Sequence, residues 1–188
     1  RDELGILRTV DASRINVGGA TTSGVDLALK ADLLTPSGRF TPGLQVTWFD
    51  TFRSTDVPGQ APIERVHLAS ELGSILRWRA IASLKWKRGA FGAVVFARHT
   101  PDYYDAIAGN RTQRDVEGQT LFDLQVSLDV GMLYGAKSRL DGLKVWLGAV
   151  NVLNERASFA EVGDVAGFDT SQAELKERVL YLRLENKF

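Results

Sequence analysis

The sequence predicts an all-β fold, an antiparallel up-and-down transmembrane β-barrel, and three observations support this prediction. Apolar and polar residues alternate along about eight segments, with the period of two that a strand uses and a helix cannot. The connections between the segments alternate between short and long, as in outer-membrane barrels. Aromatic residues gather near the predicted strand ends, where amphipathic rings favour the membrane interfaces.

Alternation is clearest over residues 120–130, where Phe122 and every second residue after it are apolar. Two further predicted strands, 25–33 and 180–188, show the same alternation, with charged residues between the apolar ones. Strands with more exceptions are predicted at 4–10, 44–52, 80–86, 91–99 and 143–151. At the start of 91–99 both the odd-numbered and the even-numbered residues are apolar, so the two faces of this strand cannot be assigned from the sequence. One helical turn is predicted in a loop at 171–178.

The polar positions of these strands are expected to face a watery lumen, where they serve solvation and cross-strand pairing. These positions include Asp26, Lys30, Asp123, Gln125 and Asp129.

The predicted connections change length in strict alternation. Short ones lie at 35–39, 87–90 and 134–142, and long ones lie at 11–23, 53–77, 101–118 and 153–177. Outer-membrane barrels have short periplasmic turns and long extracellular loops, whereas a soluble up-and-down barrel has no physical reason for this pattern. If Phe188 ends in the periplasm, all three short turns fall on the periplasmic side.

Aromatic residues form two predicted girdles. The periplasmic girdle consists of Trp86, Phe91, Tyr134 and Phe188. The outer girdle consists of Phe52, Trp78, Tyr103, Tyr104 and Phe122. Phe49 and Trp146 fit neither girdle well.

Composition excludes several classes of function. The chain has 188 residues, 23 basic and 23 acidic side chains and no cysteine, so it lacks the basic excess of a nucleic-acid binder and any disulfide framework. The longest apolar run, around 90–97, is far shorter than the roughly 20 residues of a transmembrane helix. His67 and His99 lack zinc-site spacing, and no glycine-rich phosphate loop or Gly-x-Ser-x-Gly elbow occurs. We therefore expect no enzyme activity, no cofactor and no metal site.

Several stretches together resemble one known family. They are Asn16-Val17-Gly18-Gly19-Ala20 with Ser23-Gly24-Val25-Asp26-Leu27, Arg79 to Trp86 with Arg88-Gly89, Arg98 to Asp105, Leu121-Phe122-Asp123-Leu124, Val145 to Glu155, Glu177 to Leu182, and Phe188. In this order and spacing they resemble the C-terminal part of the β-barrel of TonB-dependent outer-membrane receptors. The chain departs from the family pattern at Glu177, where a glycine is usual, and at Asn154 and Asn186.

The resemblance implies a fold, a location and a function. Such receptors close a barrel of about 22 strands around an N-terminal plug, which engages TonB. Residues 1–188 would then be the C-terminal part of that barrel, without the plug, in the outer membrane of a Gram-negative bacterium. The implied function is TonB-dependent uptake of a scarce solute, with an iron–siderophore complex as the default. Two alternatives stay open: a complete small outer-membrane barrel with a structural or adhesive role, and a soluble ligand-binding β-barrel.

Two groups of residues are candidate sites. Arg98 and the long loop at 101–118 carry aromatic and charged side chains suited to binding a large solute, although the loop could be merely solvated and Arg98 could pair with an aspartate across strands. The candidate substrate-binding residues are Arg98, Asp102, Tyr103, Tyr104 and Arg111. The resemblance also implies that the barrel assembly machinery reads the terminal strand, although Phe188 could be only an interfacial anchor facing outer-membrane lipid. The residues of this candidate assembly signal are Tyr181, Leu182, Leu184 and Phe188.

Overall fold

The computed structural model describes residues 18–55, 59–69, 73–106, 113–135, 140–162 and 165–187. Within these ranges the chain forms β-strands and one short helix. The strands are β1 (Ala20–Lys30), β2 (Leu33–Thr35), β3 (Gly38–Ser54), β4 (Ile63–Glu64), β5 (Trp78–Arg88), β6 (Phe91–Thr100), β7 (Tyr103–Ala106), β8 (Gln113–Val116), β9 (Gln119–Asp129), β10 (Lys144–Val150), β11 (Glu161–Val162), β12 (Val165–Ala166) and β13 (Val179–Glu185). The helix is α1 (Val130–Tyr134).

The long strands form one antiparallel sheet in the order β1-β3-β5-β6-β9-β10-β13. Each long strand pairs with the next long strand along the chain, so the topology is the predicted up-and-down meander. Within the described ranges β1 and β13 pair on one side only, which leaves the sheet with two edges. The all-β prediction is confirmed, and no helix of the described ranges is long and apolar enough to cross a membrane.

Cross-strand register divides the sheet into two faces, because directly paired residues of antiparallel strands share a face. One row of paired positions crosses five strands through Leu29, Leu44, Ala82, Ala97 and Phe122. We call this side the apolar face. It also carries Val95, opposite Leu84 and Leu124, so the undecided faces of β6 are now assigned.

The opposite side, the polar face, includes a row through Thr41, Lys85, Val94, Gln125 and Tyr181. It also contains Asp26, Lys30, Asp123 and Asp129, as the alternation predicted.

The apolar face has no second layer over it among the described residues. Its large side chains remain open, with Leu182 61% exposed and Leu147 55% exposed. Exposed apolar area costs about 25 cal/mol per Å² relative to burial, so a face of this extent requires an apolar environment.

Aromatic side chains border the apolar face at both ends. Phe40 pairs with Trp86 near the short turns, and Trp48 pairs with Trp78 near the long loops. The Trp78 ring stacks on His99 with 4.7 Å between ring centroids. Tyr103 lies instead in a loop strand, 4% exposed, so its expected position in the outer girdle is wrong.

The helical turn predicted at 171–178 is wrong in its position, since the turn observed in this loop lies at 169–173. The backbone N–H groups of Gln172 and Ala173 both bond the Asp169 carbonyl, which closes a single turn, and the chain is then extended up to β13. The Glu174 backbone exchanges hydrogen bonds with the side chain of Gln119, at 3.3 and 3.4 Å, instead of bonding along a helix. Contacts with another loop therefore override the local helical tendency.

The observed helix, α1, directly precedes the connection predicted at 134–142 and overlaps it only at Tyr134. The helix begins directly after β9, because the Asp129 carboxylate accepts the backbone N–H of Met132 at 3.0 Å and caps the first turn. The strand predicted to reach Val130 therefore stops at Asp129.

Other boundaries differ from the predictions. β3 is much longer than 44–52, and the strand predicted at 25–33 divides into β1 and β2. The two-stranded ladders β7–β8 and β11–β12 lie inside long connections that were predicted without strands. The predicted strand 4–10 and Phe188 lie outside the described residues.

A glycine and a tyrosine interlock on the polar face. The Tyr181 ring lies over Gly148, and its hydroxyl donates to Gln125 Oε1 at 2.9 Å. A Cβ atom at Gly148 would come within 2.2 Å of the ring. Gly148 therefore makes room for the ring, and the ring joins three neighbouring strands.

We expect Gly148→Ala to destabilise the barrel by about 1–3 kcal/mol, because the ring must leave its place and lose its hydrogen bond. Thermal unfolding of the whole receptor in detergent measures the loss. Gly19→Ala, at a position where a Cβ meets nothing within 4 Å, is the matched control. Equal melting of the two variants would contradict the interlock.

Candidate functional site

Three long connections leave the sheet at the same end, because the strands alternate in direction. They link β3 to β5, β6 to β9 and β10 to β13. We call their described residues the loop cap, which comprises residues 55, 59–69, 73–77, 101–106, 113–118, 151–162 and 165–178. The short connections lie at the opposite end, so the predicted alternation of short and long connections holds for the described part of the chain.

The buried apolar cluster of the described residues lies in the loop cap. It consists of Ala69, Leu76, Tyr103, Val116 and Ala160, with members from all three connections. Backbone bonds join the first two connections: Ala69 N–H bonds the Tyr104 carbonyl at 2.7 Å, and Tyr104 N–H bonds the His67 carbonyl at 3.0 Å. The three loops therefore pack as one small body.

A buried carboxylate, Asp169, joins the three connections at one point. It is 1% exposed and accepts hydrogen bonds from the hydroxyls of Ser74, Tyr103 and Ser171 and from the Ser171 backbone N–H. Ser74 belongs to the first connection and Tyr103 to the second, whereas Asp169 belongs to the third. An ionised carboxylate has about four acceptor sites, so these four donors satisfy it.

These hydrogen bonds set the ionisation of the group. Burial by itself would raise the pKa of Asp169, but the donors from Ser74, Ser171 and Tyr103 together hold that pKa below its usual range. Burial, the bond to Asp169 and the nearby negative charges all raise the pKa of Tyr103, so its hydroxyl stays a donor. The pair is therefore a stable carboxylate–phenol contact at neutral pH.

A second buried carboxylate, Asp105, joins the second and third connections. Its Oδ2 accepts the Glu161 backbone N–H at 2.9 Å and lies 3.6 Å from Arg114 Nε. The Arg114 guanidinium also donates to Glu161 Oε2 at 3.0 Å and lies 4.7 Å from the ring centroid of Phe159. Paired in this way, Asp105 avoids the large cost of an isolated buried charge.

The asparagine motif at 151–154 shapes the start of the third connection. Asn151 is fully buried with a φ of 51°, and its side chain bonds the backbone of Glu155 and of Lys176. Asn154, with a φ of 58°, accepts the Arg178 backbone N–H at 2.9 Å. Asparagine tolerates this left-handed conformation better than most residues, so the motif that carried the resemblance has a structural role here.

The candidate substrate-binding residues occupy different environments. Arg98 lies on the polar face and donates to both carboxylate oxygens of Asp123, at 3.3 and 3.0 Å, so the cross-strand pair left open by the sequence is observed. Tyr103 is buried in the loop cap, where its hydroxyl donates to Asp169.

Asp102 and Tyr104 lie near His67. Asp102 is exposed, with its Oδ2 4.0 Å from the imidazole, and Tyr104 meets the imidazole ring edge-on at 4.8 Å between ring centroids. Arg111 lies outside the described residues, and the predicted binding role of all five stays a prediction.

The terminal-strand residues divide between the two faces. Leu182 and Leu184 lie on the apolar face opposite Leu147 and Val145, whereas Tyr181 lies on the polar face. The predicted assembly role of these residues and of Phe188 stays a prediction.

The buried polar groups of the loop cap bond one another and hold its three connections together. The acceptor sites of Asp169 are all occupied, and its donors come from the protein itself. Among the described residues no group of three or more His, Asp or Glu side chains could hold a metal ion. Asp169 and Ser74 were not among the residues predicted from the sequence, and Asp105 was noted only as one charged residue of the loop at 101–118. A local signal existed only for Asp169, because Asp-x-Ser favours an Asx turn.

An open meander with a continuous exposed apolar face, a polar opposite face and long loops at one end defines the wall of an outer-membrane β-barrel. The family described as TonB dependent receptor-like, beta-barrel, matches residues 3–152. The chain belongs to this family, whose members are outer-membrane receptors and transporters of Gram-negative bacteria rather than enzymes. The apolar face is therefore the lipid-facing side and the polar face lines the lumen. No curated protein and no solved structure matches the chain.

Proposed function

We propose that the chain forms the C-terminal part of the barrel of a receptor that takes up a ferric siderophore complex in a TonB-dependent manner. The plug domain, which engages TonB, lies on a part of the protein outside residues 1–188. The barrel assembly machinery inserts the receptor and reads the terminal strand. The observation that carries the proposal is the family match over residues 3–152.

The organisation of the loop cap supports solute recognition. Loops without a role in binding need only be solvated, whereas these three connections share a buried cluster and the buried carboxylate of Asp169, and a second buried carboxylate, Asp105, joins two of them. Rigid loops lose little conformational entropy when a ligand binds. Asp102 and Tyr104 offer a carboxylate and an aromatic edge on this rigid support, and aromatic groups with a few directed polar groups suit a large solute.

Uptake of iron-55 chelates by iron-limited cells tests the proposal. We expect uptake of at least one ferric siderophore with the whole receptor, and none when either the receptor or TonB is deleted. Cobalamin and sugars, each carrying a radiolabel of its own element, are the competing solutes. Uptake of every ferric chelate at an equal rate with and without the receptor would contradict the assignment to iron.

A variant of the loop cap tests where the solute binds. We expect Tyr104→Ala to weaken chelate binding by about tenfold, because truncation of an aromatic anchor commonly costs more than 1 kcal/mol. Tyr134→Ala, an exposed tyrosine at the opposite end of the sheet, is the matched control. Equal affinities of the two variants would move the binding site away from Tyr104.

A further inference from the structure

The start and the end of the third connection are joined to each other at Asn151. The side-chain N–H groups of Asn151 donate to the carbonyls of Glu155 and Lys176 at 2.8 and 3.1 Å, and its side-chain oxygen accepts the Glu155 backbone N–H at 2.8 Å. Asn151 directly follows β10, whereas Lys176 lies shortly before β13. We call residues 151–155 and 176–178 the clasp, because these two segments hold the ends of the connection together.

A carboxylate of the lumen wall, Asp123, helps to fix the clasp to β9. The ladder of paired residues between β9 and β10 ends at Ala149. Beyond it the Asn151 backbone N–H donates to Asp123 Oδ1 at 2.9 Å, and the Val152 backbone N–H donates to the Phe122 carbonyl at 2.7 Å. Because Asn151 is fully buried, its N–H needs an acceptor from the protein. A side chain of the wall therefore provides the acceptor that the ladder no longer supplies.

Arg98 holds this carboxylate in place. Its Nη2 donates to both oxygens of Asp123, at 3.3 and 3.0 Å. The Asp123 side chain is only 23% exposed, and a carboxylate that is largely buried is costly without a cation beside it. Without Arg98 we expect the carboxylate to turn toward the water of the lumen and to leave the Asn151 N–H. The contacts therefore lead from Arg98 in the wall, through Asp123, to the clasp.

The position of the third connection matters for the whole loop cap. It supplies Ala160 to the buried cluster, and it supplies Asp169, which accepts the hydroxyls of Ser74 and Tyr103 from the other two connections. If the ends of the third connection were released, they would have to be ordered again when a solute binds. Ordering a loop on binding lowers the affinity.

The sequence made Arg98 a candidate solute contact, but its contacts favour another role. An anionic group of the solute would have to replace the Asp123 carboxylate, and the Asn151 N–H would then lose its acceptor. We propose that Arg98 is a positioning residue, which acts through Asp123 to hold the clasp for solute capture and does not contact the solute. The role in capture rests on the proposed uptake function, whereas the hold on the clasp does not.

Hydrogen exchange of the whole receptor in detergent tests the hold on the clasp. We expect Arg98→Gln to exchange roughly tenfold faster at the amides of Asn151 and Glu155, because a charge-assisted contact is lost and the clasp opens more often. The Glu174 amide, which bonds a side chain of β9, should keep its rate. Arg98→Lys should also keep the clasp closed, since a single nitrogen of Arg98 makes both contacts and an ammonium can replace it.

Arg79→Gln is the matched control, because Arg79 is an exposed arginine of the same face, opposite Thr47, and takes no part in these contacts. The shift in gel migration on heating verifies an intact barrel in each variant. Unchanged exchange at the clasp in Arg98→Gln, or equal acceleration in the control, would overturn the proposal.

A double-variant cycle separates positioning from direct contact. The probes are iron-55 chelates of the hydroxamate, catecholate and citrate types. We expect Arg98→Gln and Asp123→Ala to weaken binding of the recognised chelate equally, by about three- to tenfold, and the double variant to lose no more than either, since all three release the same clasp. If Arg98 contacted the solute, Asp123→Ala would free the guanidinium and preserve the affinity.

The outcomes of the two experiments are distinguishable. A loss of affinity in Arg98→Gln without a loss in Asp123→Ala would overturn the positioning role and make Arg98 a solute contact. Faster exchange at the clasp with unchanged affinity in both variants would overturn the role in capture. Binding of none of the chelates, together with the expected exchange pattern, would contradict the proposed iron uptake and would support the hold of Arg98 on the clasp.

Discussion

Leu27→Lys is expected to destabilise the barrel in a bilayer by about 2–4 kcal/mol, because a lysine near the midplane of the lipid face has no water or partner. Leu27 lies in the middle of β1 on the apolar face, opposite Val46, and is 46% exposed. Urea unfolding of the whole receptor in lipid vesicles, followed by tryptophan fluorescence, measures the difference.

Ala28→Lys is the matched control for this prediction. Ala28 is the next residue of the same strand, at nearly the same depth, but it faces Gln45 on the polar face. A lysine there stays in the watery lumen between Asp26 and Lys30, so we expect almost no change. If both variants lost the same stability, the assignment of the apolar face to lipid would be wrong.

The strands could be predicted because alternation is a local property of the sequence. Residues 120–130 specify their own faces without reference to any neighbour. The faces of the segment 91–99 could not be assigned this way, because from its start onward both the odd-numbered and the even-numbered residues are apolar. Register assigned its faces, since Val95 pairs with Leu84 whereas Phe96 pairs with Ser83.

The helical error shows where local propensity is insufficient. Residues 171–178 contain Gln, Ala, Glu, Leu and Lys, which are good helix formers. Gln119, which is distant in sequence, instead takes the backbone groups of Glu174. At Val130–Tyr134 a helix is observed where none was predicted, because five residues are too few to produce a periodic signal.

The loop cap was the least predictable part. The sequence indicated that the loop at 101–118 carries aromatic and charged residues, and Tyr103 was therefore expected to bind solute. Its partner Asp169 is 66 residues away, and pairing over that distance depends on how loops pack. No local pattern distinguishes a tyrosine that contacts solute from one that locks the loops together.

Asp169→Asn is expected to open the loop cap at a cost of about 3 kcal/mol, because hydrogen bonds to a charged group are worth about 1.5–3 kcal/mol each. The amide has one acceptor oxygen where the carboxylate serves Ser74, Tyr103 and Ser171. Hydrogen exchange of the whole receptor should become roughly a hundredfold faster in all three connections together, at 59–69, 73–77, 101–106, 113–118 and 151–162, while the sheet is unchanged.

Acid should mimic this substitution in the unmodified receptor. The pKa of Asp169 is lowered in the folded loop cap, so its contribution to stability is present above the unfolded pKa of about 4 and is lost as the pH falls through the folded value. The Asn variant should lack this acid dependence. Asp102→Asn is the matched control, since Asp102 is exposed and takes no part in the buried network. Faster exchange confined to 165–178 would contradict the proposal that one carboxylate holds all three connections.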